Sequence, residues 1–181
     1  MNYLEQIGIA AVEASTVLSQ TKTEQRNKVL KTLSELLIEN SSQIINNNKK
    51  DIVMAKKNGR STAYLERLFL DINRIEKIAN NIKSIITLPD PINEIFDKFT
   101  AENGLIIEKI RIPLGVIGSI YESRPEVTID IASLSIKSGN TCILRGGSDS
   151  INSNNILTNL CQKALEISGL PQKSVQLITN L

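Results

Sequence analysis

The sequence predicts an α/β protein, built as an N-terminal helical segment, a β-hairpin arm and then a partial Rossmann-like parallel sheet. Three observations predict it. Residues 1–90 carry apolar side chains at spacings of three and four, the period of helices with one buried face. Residues 91–112 alternate apolar and polar around a turn, the period of strands. Residues 113–181 read strand, helix, strand, helix, strand, and the first three of these form a βαβ unit whose strands lie parallel across a right-handed crossover.

The first helix, Tyr3 to Leu18, sets Leu4, Ile7, Ala11, Ala14 and Leu18 on one face. Thr21 or Thr23 is placed to cap the second, with Glu24 in its first turn and Val29, Leu30, Leu33, Leu36 and Leu37 as its buried stripe. A third starts at Ser41 or Ser42 and runs through Ile44, Ile45, Ile52, Val53 and Ala55. It ends in Lys56-Lys57-Asn58-Gly59, with cations for the helix dipole and a glycine for the C′ position. Thr62 to Phe69 and Asp71 to Ile86 follow, and the Lys and Glu residues of this region suit solvated faces. Leu88-Pro89-Asp90-Pro91 then breaks the helical run.

Ile95–Thr100 and Leu105–Ile112 flank Glu102-Asn103-Gly104 as a hairpin, with Ile106, Glu108, Ile110 and Ile112 pointing one way and Ile107, Lys109 and Arg111 the other. Its free edges call for cover by another subunit, another domain or a local helix. Leu114 to Tyr121 is a β-branched run expected to be buried on both faces, and Glu122-Ser123-Arg124-Pro125 turns the chain. The next helix has Pro125 in its first turn, Val127, Ile131, Leu134 and Ser135 on one side, and its end at Gly139. Thr141 to Leu144 is the second strand. A helix from Ile151 to Ser168, closed by Gly169 and Pro171, leads to a third strand at Ser174 to Thr179. Three parallel strands are few for this architecture, and a doubly wound domain would continue past Leu181.

An apolar content of 41% and a mean hydropathy of −0.07 describe a chain that builds an ordinary core. A net charge of +2 with 3% aromatic residues argues against nucleic acid and membrane as partners. No run approaches the roughly 20 apolar residues of a membrane span. Glu5 and Glu13 interrupt any N-terminal leader, so the cytoplasm is the default location. Cys142 falls in a strand and Cys161 on the apolar side of a helix, and both read as core residues. The chain has no histidine, and no metal site is predicted.

Two places carry candidate chemistry. Arg145-Gly146-Gly147-Ser148 follows a parallel strand and precedes a helix N-terminus, where amides and the helix dipole favour an anion. Its glycines would let a ligand approach the backbone and its guanidinium would grip a phosphate, although two glycines after a strand also suit a plain turn. The second is Tyr121-Glu122-Ser123-Arg124-Pro125-Glu126, again at the carboxyl end of a strand, where open α/β sheets place ligands. A helix start, with Glu126 complementing the dipole, explains that turn equally well.

The runs R-I-P-L-G-V-I-G-S-I-Y-E-S-R-P-E-V-T-I-D and L-S-I-K-S-G-N-T-C-I-L-R-G-G resemble the signature region of gamma-glutamyl phosphate reductase, also called glutamate-5-semialdehyde dehydrogenase, a branch of the aldehyde dehydrogenase superfamily. The similarity is collinear and includes I-G-I-A-A, L-E-R-L at Leu65 to Leu68, L-P-D-P-I at Leu88 to Ile92 and S-G-L-P at Ser168 to Pro171. It implies an incomplete aldehyde dehydrogenase fold, with residues 1–90 as the helical part of the cofactor domain, 91–112 as an oligomerisation-like arm and 113–181 as a truncated cofactor-binding region. The family reduces L-glutamyl 5-phosphate to the 5-semialdehyde with NADPH, releasing phosphate, in proline synthesis.

The resemblance also implies what is missing. The family's catalytic cysteine lies downstream of anything present here, and a thioester on that thiol links loss of phosphate to arrival of hydride. No catalytic residue is therefore assigned. Where the family reads A-R-P-N-V-T, this chain has Ser123-Arg124-Pro125-Glu126-Val127-Thr128, so Glu126 stands at the position of an oxyanion-binding asparagine. Loss of one such donor costs about 2.7 to 4 kcal/mol of transition-state stabilisation. Arg145 and Ser148 match a lysine and a ribose-binding glutamate of NAD-preferring relatives, which favours NADP. Arg145, Gly146, Gly147, Ser148 and Tyr121 are the implied cofactor residues, and Arg124 would meet the substrate. These implications favour a truncated reductase inert by itself. The alternatives are the N-terminal piece of a split enzyme, complemented in trans or self-associating through residues 95–112, and a non-enzymatic nucleotide- or partner-binding module.

Overall fold

The computed structural model describes residues 2–179; Asn180 and Leu181, the last of the predicted sheet segment, lie outside that range. Five helices come first: α1 (Tyr3–Ser19), α2 (Thr23–Glu39), α3 (Ser41–Lys57), α4 (Thr62–Leu68) and α5 (Ile72–Thr87). Three of their starts are set by local side-chain caps. Asn2 and Glu5 form a reciprocal capping box on α1, Ser61 accepts from the amide of Tyr64, and Asp71 accepts from that of Arg74. Neither Thr21 nor Thr23 caps α2. The Thr21 hydroxyl donates back to Val17 O at 2.9 Å, and that of Thr23 goes to Asp90, beside the buried Arg26. A bond back to the preceding helix takes the Thr21 hydroxyl and a long-range pairing takes that of Thr23.

The stripe of α2 is buried as its spacing predicts, but two other stripes are turned. On α3 Val53 is 68% exposed, and the buried positions are Ile44, Asn48, Asp51 and Ala55. On α6 (Pro125–Lys137) Leu134 is exposed and Ile129, Ala132 and Ile136 form the packed face. In α1, Leu4 is exposed while Ile7, Ala11, Ala14 and Leu18 are buried. Gly139 after α6 and Gly169 after α7 (Ile151–Ile167) adopt positive φ, as a C′ glycine does, and the amides of Asn140 and Leu170 close back onto Ser135 O and Leu165 O.

Strands β1 (Ile95–Thr100) and β2 (Ile106–Ile110) pair antiparallel in a two-stranded arm with a bulge between Ile95 and Asp97. Cross-strand ion pairs join Lys98 to Glu108 and Lys109 to Asp97, each at 2.6 Å, and Arg111 to Glu94 at 2.7 Å. Phe96, Phe99, Ile106 and Ile110 remain exposed.

Strands β3 (Val116–Ile120), β4 (Thr141–Arg145) and β5 (Val175–Leu177) form a parallel sheet in that order. Both crossovers run the same way, so α6 and α7 lie on the same face, over Cys142, Leu144 and Val175. Helices α2 and α5 pack on that helical layer and complete one core. The other face has only α1, whose carbonyls at Ala11 and Ile7 accept from Thr141 Oγ1 and Gln176 Nε2. Beyond α1 this face opens into an apolar cavity of about 760 Å³ lined by Leu4, Ile120, Ile143, Arg145 and Ile178. The expectation that this run is buried on both faces is therefore wrong: Ile120 is 89% and Leu114, just before β3, 86% exposed, because β3 is an edge strand and α1 covers only part of one of its faces.

Candidate functional site

The carboxyl ends of β3 and β4 lie side by side, with the amide of Tyr121 donating to Arg145 O at 3.1 Å. The two predicted turns meet there. A chain of polar side chains joins them: Tyr121 Oη and Thr128 Oγ1 are 2.7 Å apart, and Thr128 Oγ1 donates to Asn154 Oδ1 at 3.1 Å. Asn154 Nδ2 donates to Ser150 Oγ at 2.9 Å, and Ser150 Oγ to Gly147 O at 2.9 Å. Burial pushes the Tyr121 phenol up to about 12 despite its bond to Thr128, so it stays a neutral hydrogen-bonding group.

The two glycines serve this packing. A Cβ on Gly146 would meet the Asn154 amide and sit 3.0 Å from the Tyr121 ring, and one on Gly147 would meet the Ser123 hydroxyl and sit 3.0 Å from its backbone nitrogen. The close approach that sequence reasoning reserved for a ligand is made by the chain's own residues.

The amides at the start of α7, just beyond the predicted Arg145–Ser148 cradle, are occupied by the chain itself. Asp51 of α3, 2% exposed, accepts from the amides of Asn152 at 3.1 Å and Ser153 at 2.8 Å, and from their side chains at 2.8 and 2.6 Å. The amide of Ser150 goes to Gly147 O and that of Ile151 to Ser148 O. A buried carboxylate thus holds the positive end of the helix dipole, and these first amides are not open to an exogenous anion. Asn48, one turn before Asp51, donates to Leu68 O and Ser153 Oγ and accepts from Leu70 N. Sequence reasoning missed both residues. The signal was present, since Ile44, Asn48, Asp51 and Ala55 are spaced four, three and four and so share a stripe.

The remaining site residues separate into two groups. Arg145 donates to Gly146 O and lines the open apolar face, with no ion pair among the described residues. Ser148 is exposed, whereas the next residue, Asp149, is buried and turned to Arg60 at 2.7 Å and Tyr64 Oη at 2.8 Å. Arg124 precedes α6 and lies 3.6 Å from Glu122, which is 3.8 Å from Arg67. Glu126, exposed in the first turn of α6, borders a separate cleft with Glu66, Arg67, Arg74 and Lys77.

Both thiols are buried. Burial pushes Cys142 up to about 12 and Cys161 further, so neither is a thiolate near neutral pH. Among the described residues no group of three or more His, Cys, Asp or Glu is placed to hold a metal ion, and no helix is long and apolar enough to cross a membrane.

No protein-family model matches the chain. Individual relatives do. It is 48% identical over 177 residues to the gamma-glutamyl phosphate reductase of Histophilus somni, a match covering 98% of this chain and 42% of that protein. It is 49% identical over 178 residues to that of Listeria welshimeri, covering 98% and 43%. The crystal structure of gamma-glutamyl phosphate reductase from Thermotoga maritima superposes with a TM-score of 0.95 at 37% identity, covering 99% of this chain and 43% of that one. A probable aldehyde dehydrogenase from Listeria monocytogenes, 13% identical with a TM-score of 0.72, shares the fold. The chain is similar to the N-terminal part of these reductases and has an aldehyde dehydrogenase-type fold. It spans about two fifths of the length of the curated relatives it matches, 42% of the Histophilus protein.

Proposed function

We propose that this chain, similar to the N-terminal part of gamma-glutamyl phosphate reductases, is the cofactor-side portion of such an enzyme and has no reductase activity by itself. The complete enzyme reduces L-glutamyl 5-phosphate to L-glutamate 5-semialdehyde in cytoplasmic proline synthesis, with phosphate leaving. The observation that carries the reading is the state of the thiols. The chemistry needs a nucleophilic sulfur, and the two in this chain are buried under helices and held protonated.

NADPH supplies the hydride when bound. Arg145 and Ser148 suit its 2′-phosphate end, because Arg145 has no carboxylate partner among the described residues and Asp149 is turned away into Arg60 and Tyr64. With the first amides of α7 committed to Asp51, side chains would have to provide that grip. Gly146, Gly147 and Tyr121 would act by holding the two strand-end loops together, and Arg124 would meet the substrate.

The open sheet face favours a partner. A parallel sheet is stable with both faces covered, and here the uncovered half exposes Ile120 and Leu4. A chain carrying the remainder of a reductase would cover it, and the arm of β1 and β2 offers a second contact for self-association. The test mixes the purified chain with the remaining part of the Histophilus reductase and follows NADP reduction in the reverse direction, from semialdehyde and phosphate. Turnover by the pair and none by the chain alone supports the proposal. Turnover by the chain alone that survives Cys142→Ala and Cys161→Ala would overturn it.

A further inference from the structure

Asp149 follows Ser148, and its carboxylate is held by three side chains from the stretch that joins α3 to α4. Arg60 donates to Oδ2 from Nε at 2.8 Å, with Nη2 2.7 Å from the same oxygen. The Tyr64 hydroxyl donates to Oδ2 at 2.8 Å, and Asn58 Nδ2 lies 3.5 Å from Oδ1. The Asp149 side chain is 6% exposed against 47% for that of Arg60, whose guanidinium lies 5.1 Å from the centre of the Tyr64 ring. Burial raises the Tyr64 phenol above its ordinary value, so it stays a donor.

This carboxylate is not spent on the helix it precedes. The first amides of α7 go to Asp51 and to loop carbonyls, and the 3₁₀ turn Ser148–Ser150 has no side-chain cap. Such a turn holds about three residues per revolution, so neighbouring side chains diverge by roughly 120°. With Asp149 drawn inward, Ser148 is left exposed. Without its donors the Asp149 charge would be buried and uncompensated, and it would turn to water, one residue from the position expected to meet a 2′-phosphate. A carboxylate there repels phosphate and accepts from a ribose hydroxyl.

We propose that Arg60 and Tyr64 are positioning residues for nucleotide recognition: by drawing the Asp149 carboxylate into the α3–α4 turn, they keep its charge off the Arg145–Ser148 loop and so set that loop's preference for a phosphorylated over a phosphate-free ribose. The proposal rests on the reading that this loop meets NADPH. It deepens that reading by assigning discrimination to residues 89 and 85 positions before the carboxylate they hold.

The experiment titrates the ¹⁵N-labelled full chain with adenosine 2′,5′-bisphosphate and with 5′-AMP, which lacks the 2′-phosphate. The backbone amide signals of Gly146, Gly147 and Ser148 report binding. Arg60→Ala should weaken the bisphosphate about tenfold and leave 5′-AMP within about twofold, and Tyr64→Phe should do the same to about threefold. Arg60→Lys, which keeps the charge, should retain most of the discrimination. The decisive variant adds Asp149→Asn to Arg60→Ala: with no charge to release, bisphosphate affinity should return. If Arg60→Ala does not fold, Tyr64→Phe with and without Asp149→Asn makes the same comparison. Equal weakening of both nucleotides, or no recovery on adding Asp149→Asn, would reduce the contact to a structural one and overturn the inference, as would no saturable shift from the bisphosphate in the parent. Failure of the reductase reading is separate, appearing as no turnover by the complemented pair. If the pair turns over and Arg60→Ala leaves the ratio of its KM values for NADP and NAD unchanged, the positioning assignment alone falls.

Discussion

Replacing Asp51 by alanine tests the most consequential contact in the fold. Its carboxylate receives four hydrogen bonds from Asn152 and Ser153, and it is 2% exposed. Truncation leaves the amides of Asn152 and Ser153 without their acceptor, at roughly 1 kcal/mol each by a conservative count of buried donors. It also removes a negative charge from the positive end of α7, worth about 1 kcal/mol in a partly buried setting. The expected loss is about 3 kcal/mol, which for a chain of this size lowers Tm by roughly 6 to 12 °C. Urea unfolding, fitted at constant m, is the assay. Asn46→Ala on the exposed side of the same helix is the control, expected within about 0.5 kcal/mol of the parent. In a double-mutant cycle, Ser153→Ala should cost less in the Asp51→Ala background than in the parent, since the hydroxyl's donation to Asp51 is already gone and only its bond from Asn48 remains. If Asp51→Ala is no more destabilising than Asn46→Ala, the capping of α7 by α3 is energetically empty and the explanation for the occupied amides of α7 fails with it.

Gly147→Ala should destabilise by about 1 to 3 kcal/mol through overpacking against Ser123, with partial rescue by Ser123→Gly, while the exposed Ser148→Ala stays near neutral in the same thermal melt. Asp90 titrates below the usual carboxylate range. Burial alone would raise it, but the Thr23 hydroxyl, the Ile92 amide and the Arg26 charge together hold it down. A depressed carboxylate contributes stability above its unfolded pKa and loses it as pH falls through the folded value, so the stability gap between the parent and Asp90→Asn should be full at neutral pH and close below about pH 4, read from urea midpoints. Neither thiol should react with iodoacetamide at pH 8 in the folded chain, and both should react in denaturant; fast native labelling of Cys142 or Cys161 would contradict their burial and raised pKa.

The backbone plan was legible because it is written in local signals. The β-branched run into β3, the proline at the start of α6 and the glycines after α6 and α7 each act within a few residues, and the βαβ order follows from them. Side-chain destinations were less legible, because they depend on what covers each face. Ile120 looks like a core residue in any window of sequence, and only the shared direction of the two crossovers leaves it bare. Leu134 and Val53 fit a stripe by spacing, yet the packed faces of α6 and α3 accept Ser133 and Asp51 instead. At the candidate site the turn positions were found, but their occupants were not. Gly146 and Gly147 face Asn154 and Ser123, and the partner of the α7 amides sits about a hundred residues away, at a separation of 102 for Ser153 and Asp51.

The ion pairs of the β1–β2 arm determine how its strands are aligned. Pairing register is normally set by a buried face, and this arm has none, with apolar side chains exposed on both sides. Charge takes over that role. Native pairing sets Lys98 opposite Glu108 and Asp97 opposite Lys109. A slip by one residue in one direction would set Lys98 against Lys109, and in the other Asp97 against Glu108, so either error replaces attraction by repulsion. Each exposed pair adds little to stability, about 0.2 to 1 kcal/mol, but the sign change doubles its weight as a choice between alignments. Because exposed charges are screened over about 10 Å at 0.1 M salt, the fidelity of this arm is tied to ionic strength in a way that the buried core is not.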